Sequence, residues 1–456
     1  MAEPQPQLKV QALAEAFAQA GTAGVSPDAV KDSAKLVELA SQAPVVRLVD
    51  VMLVEAVNRR ASDVHIEAFE RDVCIRYRID GRCYLVARPP KSLAFAIASR
   101  IKVLSNLDVA ESRLPQDGRI LLTANARQID LRVSTLPTIY GESIVLRVLD
   151  KGSLDKTLAQ LGMAEQVQRT IEQLIARPHG LLLVTGPTGA GKTTTLYACL
   201  AKLNTPEVKL ITTEDPVEYD IEGLVQVAVN PKIELGFATC LRAILRHDPD
   251  VIMVGEIRDR DTAQIAIQAA LTGHLVFSTL HTNDAPGAVT RLLDMGVEPF
   301  LVTSTVTGVL AQRLIRSLCP QCRMPYEPTA EDLSALHLTA ESLTQPRILP
   351  PAGQPQAGPA GAGIALGDSP TAVGMMKPVG CDACQGIGFK GRSGVYELLV
   401  MTEALTPLIL ERASVNELRA AARASGMRTL REDGVGKVLT GVTTVEEMIR
   451  ETQDYE

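Results

Sequence analysis

The segment LLLVTGPTGAGKTTTLYACL, residues 181–200, leaves this chain few folds to choose from. Its aliphatic start, Leu181 to Thr185, reads as a buried strand, and apolar residues return after Lys192 as a helix. Between them Gly186, Gly191, Lys192 and Thr193 satisfy G-x-x-x-x-G-K-[ST]. Glycines at that spacing let backbone N–H groups turn inward around a β-phosphate. Lys192 neutralises β/γ charge, and the Thr193 hydroxyl completes a Mg²⁺ shell. The helix adds the positive end of its dipole. The whole loop, Gly186, Pro187, Thr188, Gly189, Ala190, Gly191, Lys192, Thr193 and Thr194, is the expected nucleotide-binding segment. A chance match is the alternative, and the strand before and helix after it argue against chance.

The surrounding sequence alternates short apolar strands (LLLVTG, VKLITTEDP, DVIMVGE, HLVFSTLH) with helical patterns, beginning with AEQVQRTIEQLIARPHG. That alternation indicates a parallel sheet covered on both faces. In such sheets the ligand crevice forms at the carboxyl ends of the strands. DPDVIMVGEIRD places Glu256 at one such end, where a carboxylate acts on Mg²⁺-bound or attacking water. ITTEDPVEY places Glu214, Asp215 and Glu218 at another; a charged loop is the bland alternative. HLVFSTLHTND offers His274 and His281, either hydrogen-bonded structural residues or, for His281, a γ-phosphate sensor.

Upstream, residues 36–150 read as an α+β region. Leu36, Leu39, Val46, Leu48, Val49, Met52, Leu53 and Ala56 recur at helical spacing, followed by the strand-like runs VHIEAF, VCIRYRI, CYLVA, RILLTA and IDLRVSTL. Asp80-Gly81 predicts a hairpin turn. Residues 1–35 read as a flexible leader, Lys151–Leu154 as a linker, and the Pro/Gly/Ala-rich 348–370 as a flexible loop. Residues 402–452 are helical by pattern, in the pieces LRAAAR, LREDGVGKVL and TTVEEMIR.

Composition narrows the function classes. Lys+Arg number 46 against 53 Asp+Glu, a net charge of −7, and aromatic residues are 3% with no Trp. Both disfavour a nucleic-acid binder. No apolar run approaches a membrane span, and MAEPQPQLKV lacks the regions of a signal peptide, so an intracellular chain with reduced thiols is expected. Of eight cysteines, Cys319, Cys322, Cys381 and Cys384 form two C-x-x-C pairs that can hold one Zn²⁺ through four thiolates. The segment between the pairs is longer than ribbon spacing, and the Pro/Gly/Ala tract accounts for it. A redox dithiol or four independent buried thiols are the alternatives. Cys74, Cys83, Cys199 and Cys240 read as core residues.

GPTGAGKTTTLYA, TTEDPVEY, RAILRHDPDVIMVGEIRDRDTA and TGHLVFSTLHTNDA resemble the phosphate loop, Asp box, Walker B segment and His box of the secretion ATPases. ASDVHIEAFERDVCIRYRIDG, RLPQDGRI and DLRVSTLPTIYGESIVLRVLD resemble the domain preceding the motor in the type II secretion and pilus-extension branch. The resemblance implies an α/β fold: a P-loop, RecA-like motor (155–456) preceded by a smaller α+β, PAS-like domain (36–150). The motor would include a tetracysteine zinc subdomain (315–400) and C-terminal helices (402–452). It further implies a homo-hexamer that hydrolyses ATP with Mg²⁺ on the cytoplasmic face of the inner membrane, working through inner-membrane platform and cytoplasmic-membrane adaptor proteins. By the same route Glu214 and Glu218 fall at the Asp-box acids, Glu256 at the Walker B glutamate, and His274 and His281 in the His box. Arg132 and Arg147 match arginines that reach a γ-phosphate as the domains close; ordinary strand-surface arginines are the alternative. The paired tetracysteine element is shared with extension and secretion motors and missing from the retraction type. Members of this branch usually carry a longer N-terminal domain that docks on the platform, whereas about 35 residues precede the match here.

Drive for pseudopilus assembly and protein export in type II secretion is the reading this supports. Type IV pilus extension is its rival within the class. A DNA-translocating ATPase and a scaffold without turnover are rivals outside it, disfavoured by the acidic balance and by the presence of both Lys192 and Glu256.

Overall fold

The computed structural model describes residues 43–124, 127–150, 156–338 and 374–452. The leader, the 151–154 linker and the 348–370 tract lie outside the described residues. The chain divides into two compact units, split between Leu154 and Asp155.

In the first unit, helix α1 (Ala43–Asn58) is followed by β1 (Ala61–Ala68), β2 (Val73–Ile79) and β3 (Arg82–Ala87), then α2 (Ala94–Leu104), β4 (Gln116–Ala124), β5 (Arg127–Thr138) and β6 (Gly141–Asp150). The strands form one antiparallel sheet in the order β3-β2-β1-β6-β5-β4. Alternation decides the faces: Val73, Ile75, Tyr77 and Ile79 of β2 are buried, and so are Leu131 and Val133 of β5. The helices pack on that apolar face; α1 buries Leu48, Val49, Met52, Leu53 and Ala56, the residues whose spacing announced it. The β2–β3 turn has Asp80 at φ 48° and Gly81 at φ 89°, the two left-handed residues a type I′ hairpin requires. The strand-like runs read from sequence omitted β6, which the structure places between β1 and β5.

The second unit is the doubly covered sheet. Its elements run α3 (Glu165–Ile175), β7 (Gly180–Thr185), α4 (Lys192–Leu203), β8 (Leu210–Glu214), β9 (Leu224–Ala228), α5 (Phe237–Ile244), β10 (Val251–Val254), α6 (Arg260–Leu271) and β11 (Leu275–Leu280). There follow α7 (Ala285–Asp294), α8 (Pro299–Thr305), β12 (Val306–Leu318), β13 (Met324–Pro325), α9 (Ala330–Ala335), β14 (Met376–Lys377) and β15 (Phe389–Val400). Helices α10 (Leu405–Leu410), α11 (Val415–Ala424), α12 (Leu430–Leu439) and α13 (Val445–Thr452) complete it. The sheet order is β15-β12-β7-β11-β10-β8-β9, with every neighbour parallel except β12 and β15.

Because side chains alternate across a strand, this sheet feeds two cores. Leu181, Leu183, Ile252, Val254, Val276 and Leu280 pack with α6 and α7 on one face. Leu182, Val184, Met253, Leu275 and Phe277 pack with α3 and α4 on the other. Strands β9, β12 and β15 were not anticipated from sequence. Among the described residues no helix is long and apolar enough to cross a membrane. Cys74, Cys199 and Cys240 are buried as expected, whereas Cys83 is only partly so.

Candidate functional site

The loop 186–191 leaves β7 at the carboxyl edge of the sheet and enters α4. Gly186, Gly189 and Gly191 hold φ of 149°, 81° and 85°, conformations an L side chain resists. Space adds to the requirement: a Cβ on Gly186 would stand 2.5 Å from the Gln312 carbonyl oxygen, and one on Gly191 2.8 Å from Gln312 Nε2. The Lys192 ammonium donates to the carbonyls of Gly186 (2.8 Å) and Pro187 (3.1 Å). Burial pushes its pKa down to about 8, with Arg313 adding to the shift and Glu256 opposing it. Pro187, Thr188, Gly189 and Thr193 are exposed, Thr194 half-buried and Ala190 buried, so the rim of the loop faces solvent while its base is packed.

Glu256 follows β10, and His281 follows β11. The parallel register of the two strands brings them together, with His281 Nε2 3.1 Å from Glu256 Oε2. The other carboxylate oxygen is 2.5 Å from Arg258 Nη2. Arg258 was not singled out from the sequence; its place in GEIRD, two residues beyond Glu256, was the available signal. Asp215 is exposed and close enough to Arg258 to support its charge; Glu218 is half-buried.

Two placements correct the sequence reading. Glu214 is 3% exposed and turned inward rather than toward the crevice. Tyr197 Oη donates to one carboxylate oxygen, and Thr212 Oγ1 (2.6 Å) and Gln226 Nε2 (3.0 Å) to the other. It therefore ties α4 to β8 and β9. His274 precedes β11, beside Gly180, whose N–H donates to its carbonyl at 3.1 Å. That is the amino edge of the sheet, about 20 Å along a six-residue strand from His281. Its Nδ1 lies 2.9 Å from the Ala269 carbonyl, closing the end of α6.

In the first unit, Arg132 and Arg147 are direct cross-strand partners. Register extends the pair into a row on one face: Arg119, Arg132, Arg147, Asp63 and Arg78 lie side by side across β4, β5, β6, β1 and β2. Asp63 sits between Arg147 (3.4 Å) and Arg78 (3.5 Å), and Asp130 takes Arg119. Arg78 and Arg119 were missed, since nothing but strand register aligns them.

The four paired cysteines converge where β12 ends and β15 begins. Their sulfurs all lie within 4.8 Å of one another, at 3.9 Å for Cys319–Cys381, 3.7 Å for Cys322–Cys384 and 3.8 Å for Cys381–Cys384. A tetrahedral zinc with 2.3 Å bonds to sulfur needs neighbouring sulfurs about 3.8 Å apart. The donor set fits that metal, and the N–H groups of Gly380, Cys381 and Gly388 point at Cys322 and Cys384 sulfurs, which stabilises thiolates. The miniature sheet β13–β14 braces the two knuckles.

The model of the family described as type II/IV secretion system protein matches residues 38–450. The chain belongs to that family. Type II secretion system protein E of Dickeya dadantii is 49% identical over 424 residues, covering 93% of this chain and 78% of the relative. Type II secretion system ATPase E of Vibrio cholerae is 47% identical, covering 92% and 77%. Among solved structures, the Legionella pneumophila ATPase DotB superposes with a TM-score of 0.60 at 20% identity, over 88% of this chain and 93% of that one, a likeness of fold. This secretion ATPase is a P-loop enzyme. The loop 186–194 is where its triphosphate chemistry is expected, and the Glu256–His281 pair stands beside that loop.

Proposed function

We propose that the chain assembles as a homo-hexamer and hydrolyses ATP to drive pseudopilus assembly and protein export in type II secretion. The observation that carries the reading is the Glu256–His281 pair, held at the same sheet edge as the Lys192 loop. The names of the relatives at 47–49% identity support the secretion system over piliation. Type IV pilus extension stays as the second reading, since the four-cysteine cluster is the element the resemblance gives to secretion and extension motors alike. The net charge of −7 disfavours DNA translocation.

In the proposed mechanism the backbone N–H groups of Gly189, Gly191, Lys192 and Thr193 and the Lys192 ammonium grip the β- and γ-phosphates. Thr193 would hold Mg²⁺, which when bound neutralises charge on the transferring phosphoryl group. Glu256 orients the attacking water, and His281 holds that carboxylate in place and reports the γ-phosphate. Asp215 and Glu218 shape the acidic side of the crevice, and Glu214 fixes its floor. Arg132 and Arg147 would stabilise charge on the transferring phosphoryl group, the role the resemblance implies for them. Cys319, Cys322, Cys381 and Cys384 would hold a closed structural Zn²⁺. The ring works on the cytoplasmic face of the inner membrane, recruited through platform and adaptor proteins of the secretion machine.

Steady-state phosphate release from the full chain tests the catalytic assignment. Glu256→Gln should lower kcat at least 100-fold while Mg·ATP still binds; turnover at the native rate in this variant would remove Glu256 from the mechanism. Restoration of secretion, and not of piliation, in cells lacking the motor would decide between the two systems.

A further inference from the structure

Strand β12 carries two buried polar residues side by side. Gln312 is 2% and Arg313 3% exposed, and neither was singled out by any motif. Register explains their position: Ala311 lies opposite Thr185, the last residue of β7, so β12 outruns its neighbour and puts the next two residues beside the phosphate loop. Successive side chains on a strand point to opposite faces. Gln312 turns toward α4, where its Nε2 donates to the Ala190 carbonyl (2.7 Å) and its Oε1 accepts from Thr195 Oγ1 (2.7 Å). It thereby brackets the base of the loop against the first turn of α4.

Arg313 turns the other way. Its guanidinium donates to the carbonyls of Gln312 (2.9 Å) and Asn283 (2.7 Å), and Nη1 would stand 3.1 Å from a Cβ on Gly186. Asn283 is two residues beyond His281. The intervening Thr282 is fixed to the end of β7, its N–H donating to Thr185 Oγ1 at 2.9 Å. One guanidinium therefore ties the β12 backbone, at the residue whose side chain braces the phosphate loop, to the segment that carries His281.

We propose that Gln312 and Arg313 are positioning residues for ATP hydrolysis, with Gln312 setting the phosphate loop and Arg313 setting the His281 segment in register with it. This rests on the assignment of His281 above. Neither residue needs to touch the nucleotide: Gln312 acts through Ala190 and Thr195, and Arg313 through Asn283.

A kinetic cycle on the full-length enzyme tests the idea, with Mg·ADP affinity measured by calorimetry alongside kcat and KM for Mg·ATP. Arg313→Lys keeps the charge but not the two-carbonyl span. It should leave the Kd for Mg·ADP within about threefold of native while lowering kcat at least 30-fold. His281→Gln should lower kcat at least tenfold in the native background and less than twofold in the Arg313→Lys background. Gln312→Leu should weaken Mg·ADP at least tenfold. If lysine at 313 does not fold, Arg313→Gln takes the same measurements. Loss of ADP affinity in step with kcat at position 313, or full additivity with a costly His281→Gln, would overturn the positioning role alone. A silent His281→Gln in the native enzyme would instead overturn the assignment of His281, and the inference with it.

Discussion

Glu397 on β15 accepts the N–H of Ala285, 2.8 Å away at the first residue of α7, and that of Leu430 at the start of α12, 3.4 Å away. Two helix N-termini thus converge on one carboxyl group that is 3% exposed. Burial raises its pKa to about 7, the charge of Asp284 pushes the same way, and the two N–H groups and Arg419 pull against both.

A carboxyl whose folded pKa lies above its unfolded value binds its proton more tightly when folded. The stability it contributes is full below the ordinary glutamate value of 4.5 and is lost as pH climbs to about 7. Glu397→Gln keeps an acceptor oxygen for Ala285 and cannot titrate. Its unfolding free energy relative to native should rise between those two pH values, by on the order of 3 kcal/mol, and level off above them. Denaturant melts at pH 5, 6, 7 and 8 check this; a gap independent of pH would refute it.

Gly191 and Gly189 both hold left-handed φ, but only Gly191 is crowded, with Gln312 Nε2 2.8 Å from its Cβ position and nothing within 4 Å at Gly189. Gly189→Ala should cost the backbone strain alone, about 1–2 kcal/mol. Gly191→Ala must also dislodge the amide that brackets Ala190. Calorimetry with Mg·ATP should show at least a tenfold larger loss of affinity at 191 than at 189.

The tetracysteine cluster predicts one zinc per chain in metal analysis of the purified protein. Cys381→Ser should lose it and lower the melting temperature, because β13, β14 and the ends of β12 and β15 meet at the cluster that would hold it. A native protein carrying no zinc, or a variant with unchanged stoichiometry, would count against the site.

Arg316 on β12 and Glu447 on α13 form a buried pair, 7% and 2% exposed at the side chain, with Nη2–Oε2 at 2.7 Å and Nε–Oε2 at 3.0 Å. The guanidinium also stacks 3.9 Å over Phe389. Arg316→Met strands the Glu447 carboxylate beside the more exposed Arg450 and should cost about 3–5 kcal/mol. Arg316→Met with Glu447→Leu should recover a large part of that in urea denaturation, since no charge is then left buried.

Several features of the site were legible in the residues alone because their causes are local. The loop 186–194 needs its glycines at fixed spacing, and Asp80-Gly81 needs two left-handed residues in a row. The apolar runs of β7, β8, β10 and β11 report burial on both faces. His281 and Glu256 ended strands of one parallel sheet, so their meeting followed from topology once the strands were recognised. His274 failed the same reasoning because the strand it flanks has two ends, and it stands at the other one. Glu214 failed because the last residue of a strand can turn to either face, and Tyr197, Thr212 and Gln226 together offered its carboxylate a buried home.

The phosphate loop, the parallel sheet around it and the pairing of cysteines were readable from neighbouring residues, since dihedral demands and burial periods are written there. That Arg119, Arg132 and Arg147 share a row, that Gln312 and Arg313 stand beside Gly186, and that Glu397 caps two helices emerged on folding. Each of those depends on which strand lies against which and in what register. That choice is made by the collective packing of two cores, not by any stretch of chain short enough to read.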